Sequence, residues 1–202
     1  WEPKNLDEFN RGLVGLKQDK EFGGIILDSS TELIKQFVKP AALLFPCREK
    51  GTGQAQTRSA GVPTRSDYQT MGELGRQIFN NLLNFTKAEG AYRKHVIVTA
   101  ADKVSEDDDG KIRFWGPDLP GALADASAQM FQICGTIDIK PEVVGGKRCY
   151  PRWLCFATDG PKAIKDRSKL FPAEVRLKLF DEDSVGLDLC DMWERYWIPE
   201  VA

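Results

Sequence analysis

Histidine is almost absent: His95 is the one imidazole in 202 residues. Cysteine occurs five times, at Cys47, Cys134, Cys149, Cys155 and Cys190, an odd number with no CxxC pair. A Cys/His zinc site therefore lacks its ligand pattern, and a disulfide framework lacks its pairing. The cysteines read instead as reduced small hydrophobes, the usage of a cytosolic protein. Long apolar runs are missing as well. None approaches the ~20 residues that cross a bilayer, so no membrane partner is expected. The opening Trp1-Glu2-Pro3-Lys4 has no basic-then-apolar leader. It also lacks Met, as a fragment or a processed chain does. An excess of one charge is lacking too: 28 Lys and Arg face 30 Asp and Glu, a net of −2, which excludes a strongly basic nucleic-acid coat.

What is present suits a folded protein. A hydrophobic share of 42% is enough to form a core, and neither a repeat nor a composition break divides residues 1–202, so a single domain is expected. Leu6, Phe9, Leu13 and Leu16 have helical spacing. Phe22–Leu27 and His95–Thr99 are short apolar runs without alternation, as in strands buried on both faces of a parallel sheet. Ser29, Ser30 and Thr31 offer N-caps for a helix to about Leu44, with Leu33, Phe37, Ala41 and Leu44 inward and a kink at Pro40. A helix over about 68–89 buries Tyr68, Met71, Leu74, Ile78, Leu82 and Phe85, and Ser66 with Gln69 forms its capping box. Residues 47–67 and 100–118 are loops, and residues from Pro120 to about Met130 are helical. Residues 131–140 and 149–158 form a hairpin around 141–147. Trp193, Tyr196 and Trp197 share a helical face. The order is α/β: a mainly parallel sheet flanked by helices, with a C-terminal antiparallel hairpin.

The best chemical signal is Gly24-Ile-Ile-Leu-Asp28-Ser29-Ser30. An acid at the carboxyl end of a buried strand can hold the water shell of a nucleotide-bound Mg²⁺, as in a Walker B strand. The same pattern occurs where Asp simply caps the next helix. Its usual partner, GxxxxGK[ST], matches no stretch of the chain. Gly145-Gly146-Lys147 lies in a hairpin turn and does not replace it.

Five runs in order carry a resemblance: IILDSSTEL (Ile25–Leu33), TRSDYQTMGE (Thr64–Glu73), HVIVTAADKVSEDDDG (His95–Gly110), PDLPGALADASAQMF (Pro117–Phe131) and ATDGPKAIKDRSKLFP (Ala157–Pro172). Over about residues 1–180 the chain resembles phage-encoded RecA-like P-loop ATPases of the AAA superfamily. The opening WEPKNLDEFNRGL resembles that family's linker helix before Walker B, with the Walker A segment upstream. The resemblance implies a RecA-like core, ATP and Mg²⁺ as cofactors where the missing phosphate loop is supplied, and work in DNA recombination or replication in a bacterial host's cytoplasm. It implies Asp28 as the Walker B acid that binds Mg²⁺ through water, with Ser29 beside it and Thr99 ending the sensor strand. Lys165 and Arg167 would reach across a subunit interface to a neighbour's γ-phosphate, in a ring or filament of identical copies. Loops 48–67 and 102–118 lie where the family places its contacts to single-stranded DNA. Ala100-Ala101 depart from the polar or His residue common after the sensor, and Glu32 reads as a helix first-turn residue.

Other readings of these residues are plain ones. Lys165 and Arg167 also fit solvated surface charges. Loop 48–67 has four cations against two acids and no aromatic residue; loop 102–118 has three cations against six acids. The run Glu106-Asp107-Asp108-Asp109-Gly110 lacks EF-hand spacing and reads as a solvated turn. His95 reads as structural. A protein of another class fits as well: a non-catalytic interaction or structural protein that keeps the fold without hydrolysis.

Overall fold

A computed structural model describes residues 1–46, 62–157, 162, 164–178 and 186–197. The chain divides into two compact units, Trp1–Lys103 with Pro117–Met130 and Val104–Gly116 with Phe131–Ala202. Among the described residues no helix is long and apolar enough to cross a membrane.

The first unit opens with α1 (Leu6–Leu16), capped by the Asn5 side chain, which accepts from the Glu8 amide at 2.9 Å. Phe9 and Leu13 are its buried residues, and Trp1 stacks on Phe9. Strands β1 (Gly24–Leu27) and β2 (His95–Val98) pair in parallel, Gly24 beside His95 through Leu27 beside Val98. In such a register, partners share a face. Ile25, Leu27, Val96 and Val98 form the half-buried face. Ile26 and Ile97, side by side on the other, are 65% and 40% exposed. The expectation of strands buried on both faces is corrected here, because among the described residues nothing covers that second face. The parallel sheet of the described residues has these two strands, and the other sheets are small.

Of the three hydroxyls offered as caps for the helix after β1, Ser29 is the N-cap. It runs as α2 (Ser30–Leu33), a π segment (Ile34–Val38) and α3 (Lys39–Leu44). Pro40 has no N–H to give the carbonyl of Gln36, and the wider π turn absorbs that loss without ending the helix. Leu33 is buried as expected, but beyond it the buried positions fall one residue along, on Ile34, Val38 and Ala42, with Phe37 and Ala41 half-buried and Leu44 exposed. Helix α4 (Arg65–Thr86) has its capping box two residues earlier than expected. Thr64 accepts from the Asp67 amide, and the Asp67 carboxylate accepts from the Thr64 amide at 2.7 Å. Its core face holds Met71, Ile78, Phe79, Leu82 and Phe85, with Tyr68 exposed. A Cβ built on Gly75 would lie 2.4 Å from Leu123 of α5 (Ala122–Met130), so glycine is what lets these helices approach.

Residues 100–118, read as a loop, form a hairpin of β3 (Asp102–Glu106) and β4 (Ile112–Pro117). The Asp107 carboxylate accepts from the Asp109 and Lys111 amides, and Gly110 takes φ +74°. The acidic run is thus a turn built on its own first aspartate.

In the second unit, β5 (Ile133–Cys134) and β6 (Thr136–Ile139) lead to a tight hairpin, β7 (Glu142–Val144) and β8 (Lys147–Cys149), and back along β9 (Arg152–Cys155). Strand β10 (Lys165–Asp166) pairs antiparallel with β5, and β11 (Glu174–Arg176) pairs with β9, giving the order β11-β9-β6. Phe156, Val175 and Met192 form the core beneath, packed with Leu154, Phe171 and Tyr196. Tyr196 follows α6 (Leu189–Met192) in a π segment, and its ring tilts against Phe171. The side chains of Trp193 and Trp197 lie outside those described.

Candidate functional site

Parallel pairing brings the carboxyl ends of β1 and β2 together, and with them Asp28 and Thr99. The Thr99 hydroxyl donates to Asp28 Oδ1 at 2.5 Å, across 71 residues of sequence. Both side chains are exposed, and Asp28 Oδ2 has no protein partner among the described residues. Ser29, joined to Asp28 by a cis peptide, turns its hydroxyl to the Glu32 amide as the N-cap of α2. Of the sequence-derived site residues, Asp28, Ser29 and Thr99 stand together in this first unit.

Two residues that sequence reasoning treated as spare caps hold the site in shape. The Ser30 amide and hydroxyl both donate to the Thr99 carbonyl, each at 2.8 Å. The Thr31 hydroxyl accepts from the Ala101 amide at 3.0 Å and donates to the Asp118 carbonyl at 3.2 Å. Both side chains are buried. Asp118 also donates its amide to Ala101, so one threonine joins three segments. A helix start needs one hydroxyl cap and Ser29-Ser30-Thr31 offers three, but what the other two do shows only in the fold. Thr31→Val keeps the shape and removes the hydroxyl, so the Ala101 amide and the Asp118 carbonyl both lose this partner. It should cost about 2 kcal/mol of stability, read as a lowered urea midpoint, with Thr31→Ser recovering most of it.

Charge around this end is mixed. Lys35 lies 3.4 Å from Asp118 and 3.8 Å from Glu32, and Lys103 lies 3.9 Å from Asp118. These pairs are solvent-exposed and contribute little to stability. Further along the sheet, burial and the Arg93 guanidinium hold His95 below the usual imidazole range. No cluster of three or more His, Cys, Asp or Glu side chains that could hold a metal occurs among the described residues. Asp28 alone fits a hard divalent cation only through water and ligands from elsewhere, as a nucleotide's phosphates supply.

Lys165 and Arg167 belong to the second unit. They were expected to face outward together. Arg167 is exposed, and its amide donates to the Gln132 carbonyl at 3.1 Å. The Lys165 ammonium is buried with no hydrogen-bond partner among the described residues, opposite Cys134 in the strand register. That burial holds Lys165 below the usual lysine range, with Arg167 acting in the same direction and Cys134 against it. The strand ends at Asp166, so the extended alternation that would align the two cations stops between them.

Of the two expected DNA loops, residues 47–61 lie outside the described ones, as does the 158–161 turn before Lys165. In the other, Arg113 lies 4.0 Å from Asp107, and Lys103 is beside Asp118, so these cations already face acids. Comparison with known protein families, curated proteins and solved structures finds no match to this chain.

Proposed function

We propose that this is a RecA-like protein that binds Mg·ATP at the carboxyl ends of β1 and β2 and serves DNA recombination or replication. The observation that carries the reading is the Thr99–Asp28 hydrogen bond at adjacent ends of two parallel strands. Open α/β sheets bind ligands at that edge. Bound there, Mg²⁺ neutralises phosphate charge. The chain's own part is to orient Asp28 through Thr99 and to keep the second carboxylate oxygen free for the ion's water shell. In this reading the protein is phage-encoded, works in the host cytoplasm and assembles with its own copies. Arg167, exposed, is then the cation that reaches a neighbour, and Lys165, its ammonium buried, is not.

The test is titration of a fluorescent ATP analogue with and without Mg²⁺. Binding should require Mg²⁺ and weaken at least about tenfold, or ~1.4 kcal/mol, in Asp28→Ala. Arg167→Ala should bind as wild type. ATP turnover by the 202-residue chain should stay at background, because it carries no GxxxxGK[ST] cradle for the phosphates. Equal binding by wild type and Asp28→Ala would favour the non-catalytic interaction protein, a reading that the bare Ile26–Ile97 face also suits.

A further inference from the structure

The hairpin β7–β8 stands on a rigid foot. Strands β6 and β9 pair up to Ile139 and Arg152, the Lys140 amide donates to the Pro151 carbonyl at 3.2 Å, and pairing resumes at Glu142 and Cys149. Its tip is Gly145-Gly146, with φ +58° and +77°. Positive φ at both central residues is the type I′ turn, whose twist matches the strands.

Register puts Val143 beside Arg148, and alternation puts Tyr150 on the same face. The Arg148 guanidinium lies over the Tyr150 ring, 5.5 Å from its centroid. Val143 is 74% exposed and Tyr150 57%. Core packing explains neither.

The charge here is one-sided. Lys140, Lys147, Arg148 and Arg152 face one acid, Glu142, between residues 139 and 153. That acid is already engaged by Arg176 at 3.1 Å. Nearby acids are engaged too, Glu174 by Lys140 and Asp138 by Lys162 at 2.6 Å. Lys147, Arg148 and Arg152, all exposed, have no carboxylate within ion-pair distance among the described residues. In a chain of net charge −2, this is a local basic ridge with an aromatic ring in it.

We infer that this hairpin binds single-stranded nucleic acid, with Lys147, Arg148 and Arg152 on phosphates and Tyr150 stacking on a base. Cations alone would fit any polyanion. The exposed ring, on the same side of the hairpin as Arg148 and Val143, selects a ligand that alternates charge with flat apolar groups. In a duplex those groups are stacked away; in a single strand they are free. The inference stands on the hairpin alone and does not need the nucleotide site.

The experiment is fluorescence anisotropy of labelled oligo(dT) with the whole chain and no ATP, over a salt series. Three phosphate contacts on a single strand predict a slope of log K against log salt of about −2. Tyr150→Ala should weaken binding about tenfold, and Tyr150→Phe should bind as wild type because stacking uses the ring. Arg148→Ala should weaken binding and flatten the slope. Lys17→Ala, which removes an exposed cation just after α1, should change neither, and Asp28→Ala should bind oligo(dT) normally. Binding unaffected by Tyr150→Ala in a variant with an unchanged melt overturns the inference. So does equal competition by polyglutamate, which would assign the ridge to an acidic protein, or no binding at low salt.

Discussion

Lys94→Met should lower the stability of the first unit by about 3 kcal/mol. The Lys94 side chain is buried, and its ammonium donates to the backbone carbonyls of Asp19 at 2.8 Å and Phe22 at 2.7 Å. Its own amide donates to the Phe85 carbonyl at 3.0 Å. One residue therefore ties the α1–β1 connection to the end of α4, immediately before β2 begins. Methionine fills the same space without the donor, so the core stays packed and two carbonyls lose their partner. A hydrogen bond from a charged donor contributes about 1.5–3 kcal/mol, against a total of ~5–15 kcal/mol for a typical domain. The urea midpoint should fall, and the His95 amide, bonded to the Gly23 carbonyl, should exchange faster. An unchanged midpoint would mean that the connection holds without its anchor.

A second loss of about 3 kcal/mol is expected in the other unit for Asp166→Ala. This aspartate sits between the two cations that the resemblance singled out, and its carboxylate is the more constrained group. It accepts from the amides of Ser168 at 2.8 Å, Lys169 at 3.1 Å and Phe171 at 2.9 Å, and from the Ser168 hydroxyl. Burial pushes the carboxyl up, but the Ser168 hydroxyl and the three amides together outweigh it and hold Asp166 below its usual value. A folded value below the unfolded one gives stability that is present above the unfolded pKa, about 3.9, and lost as pH falls through the folded value. Acid titration of the wild type should therefore show a component below about pH 4 that Asp166→Asn removes. Asparagine keeps one acceptor, so it should cost less than alanine at pH 7. If Asp166→Ala melts as wild type does, the turn is held by other contacts.

Local structure was the legible part of this sequence. Leu6–Leu16 reads as a helix from its spacing, and the two apolar runs read as parallel strands ending at Asp28 and Thr99, which is how β1 and β2 pair. Capping shifted by two residues, from Ser66 to Thr64, because Pro63 precedes Thr64 and both Thr64 and Asp67 offer the right side chains at the right interval. Other features depend on tertiary partners. Composition alone does not distinguish a strand covered on two faces from one covered on one, so the bare Ile26–Ile97 face went unread. The 102–118 hairpin was hidden by six acids and by strands that are mostly exposed, where apolar alternation is weak. Lys94 reads as a surface cation until two distant carbonyls are seen to surround it. At the site, Asp28 and Thr99 were legible as strand ends, whereas the supporting roles of Ser30 and Thr31 emerge only when the 99–101 segment and Asp118 are brought alongside.

The central claim is that Asp28 and Thr99 mark where a magnesium nucleotide sits. Amide chemical-shift mapping of the isotope-labelled chain during titration with ATP tests it most directly. With Mg²⁺ present, shifts should concentrate at Asp28–Thr31 and Thr99–Ala101, should fade when Mg²⁺ is chelated, and should be absent in Asp28→Ala. Shifts that arise elsewhere, or that persist unchanged in Asp28→Ala, would contradict the account.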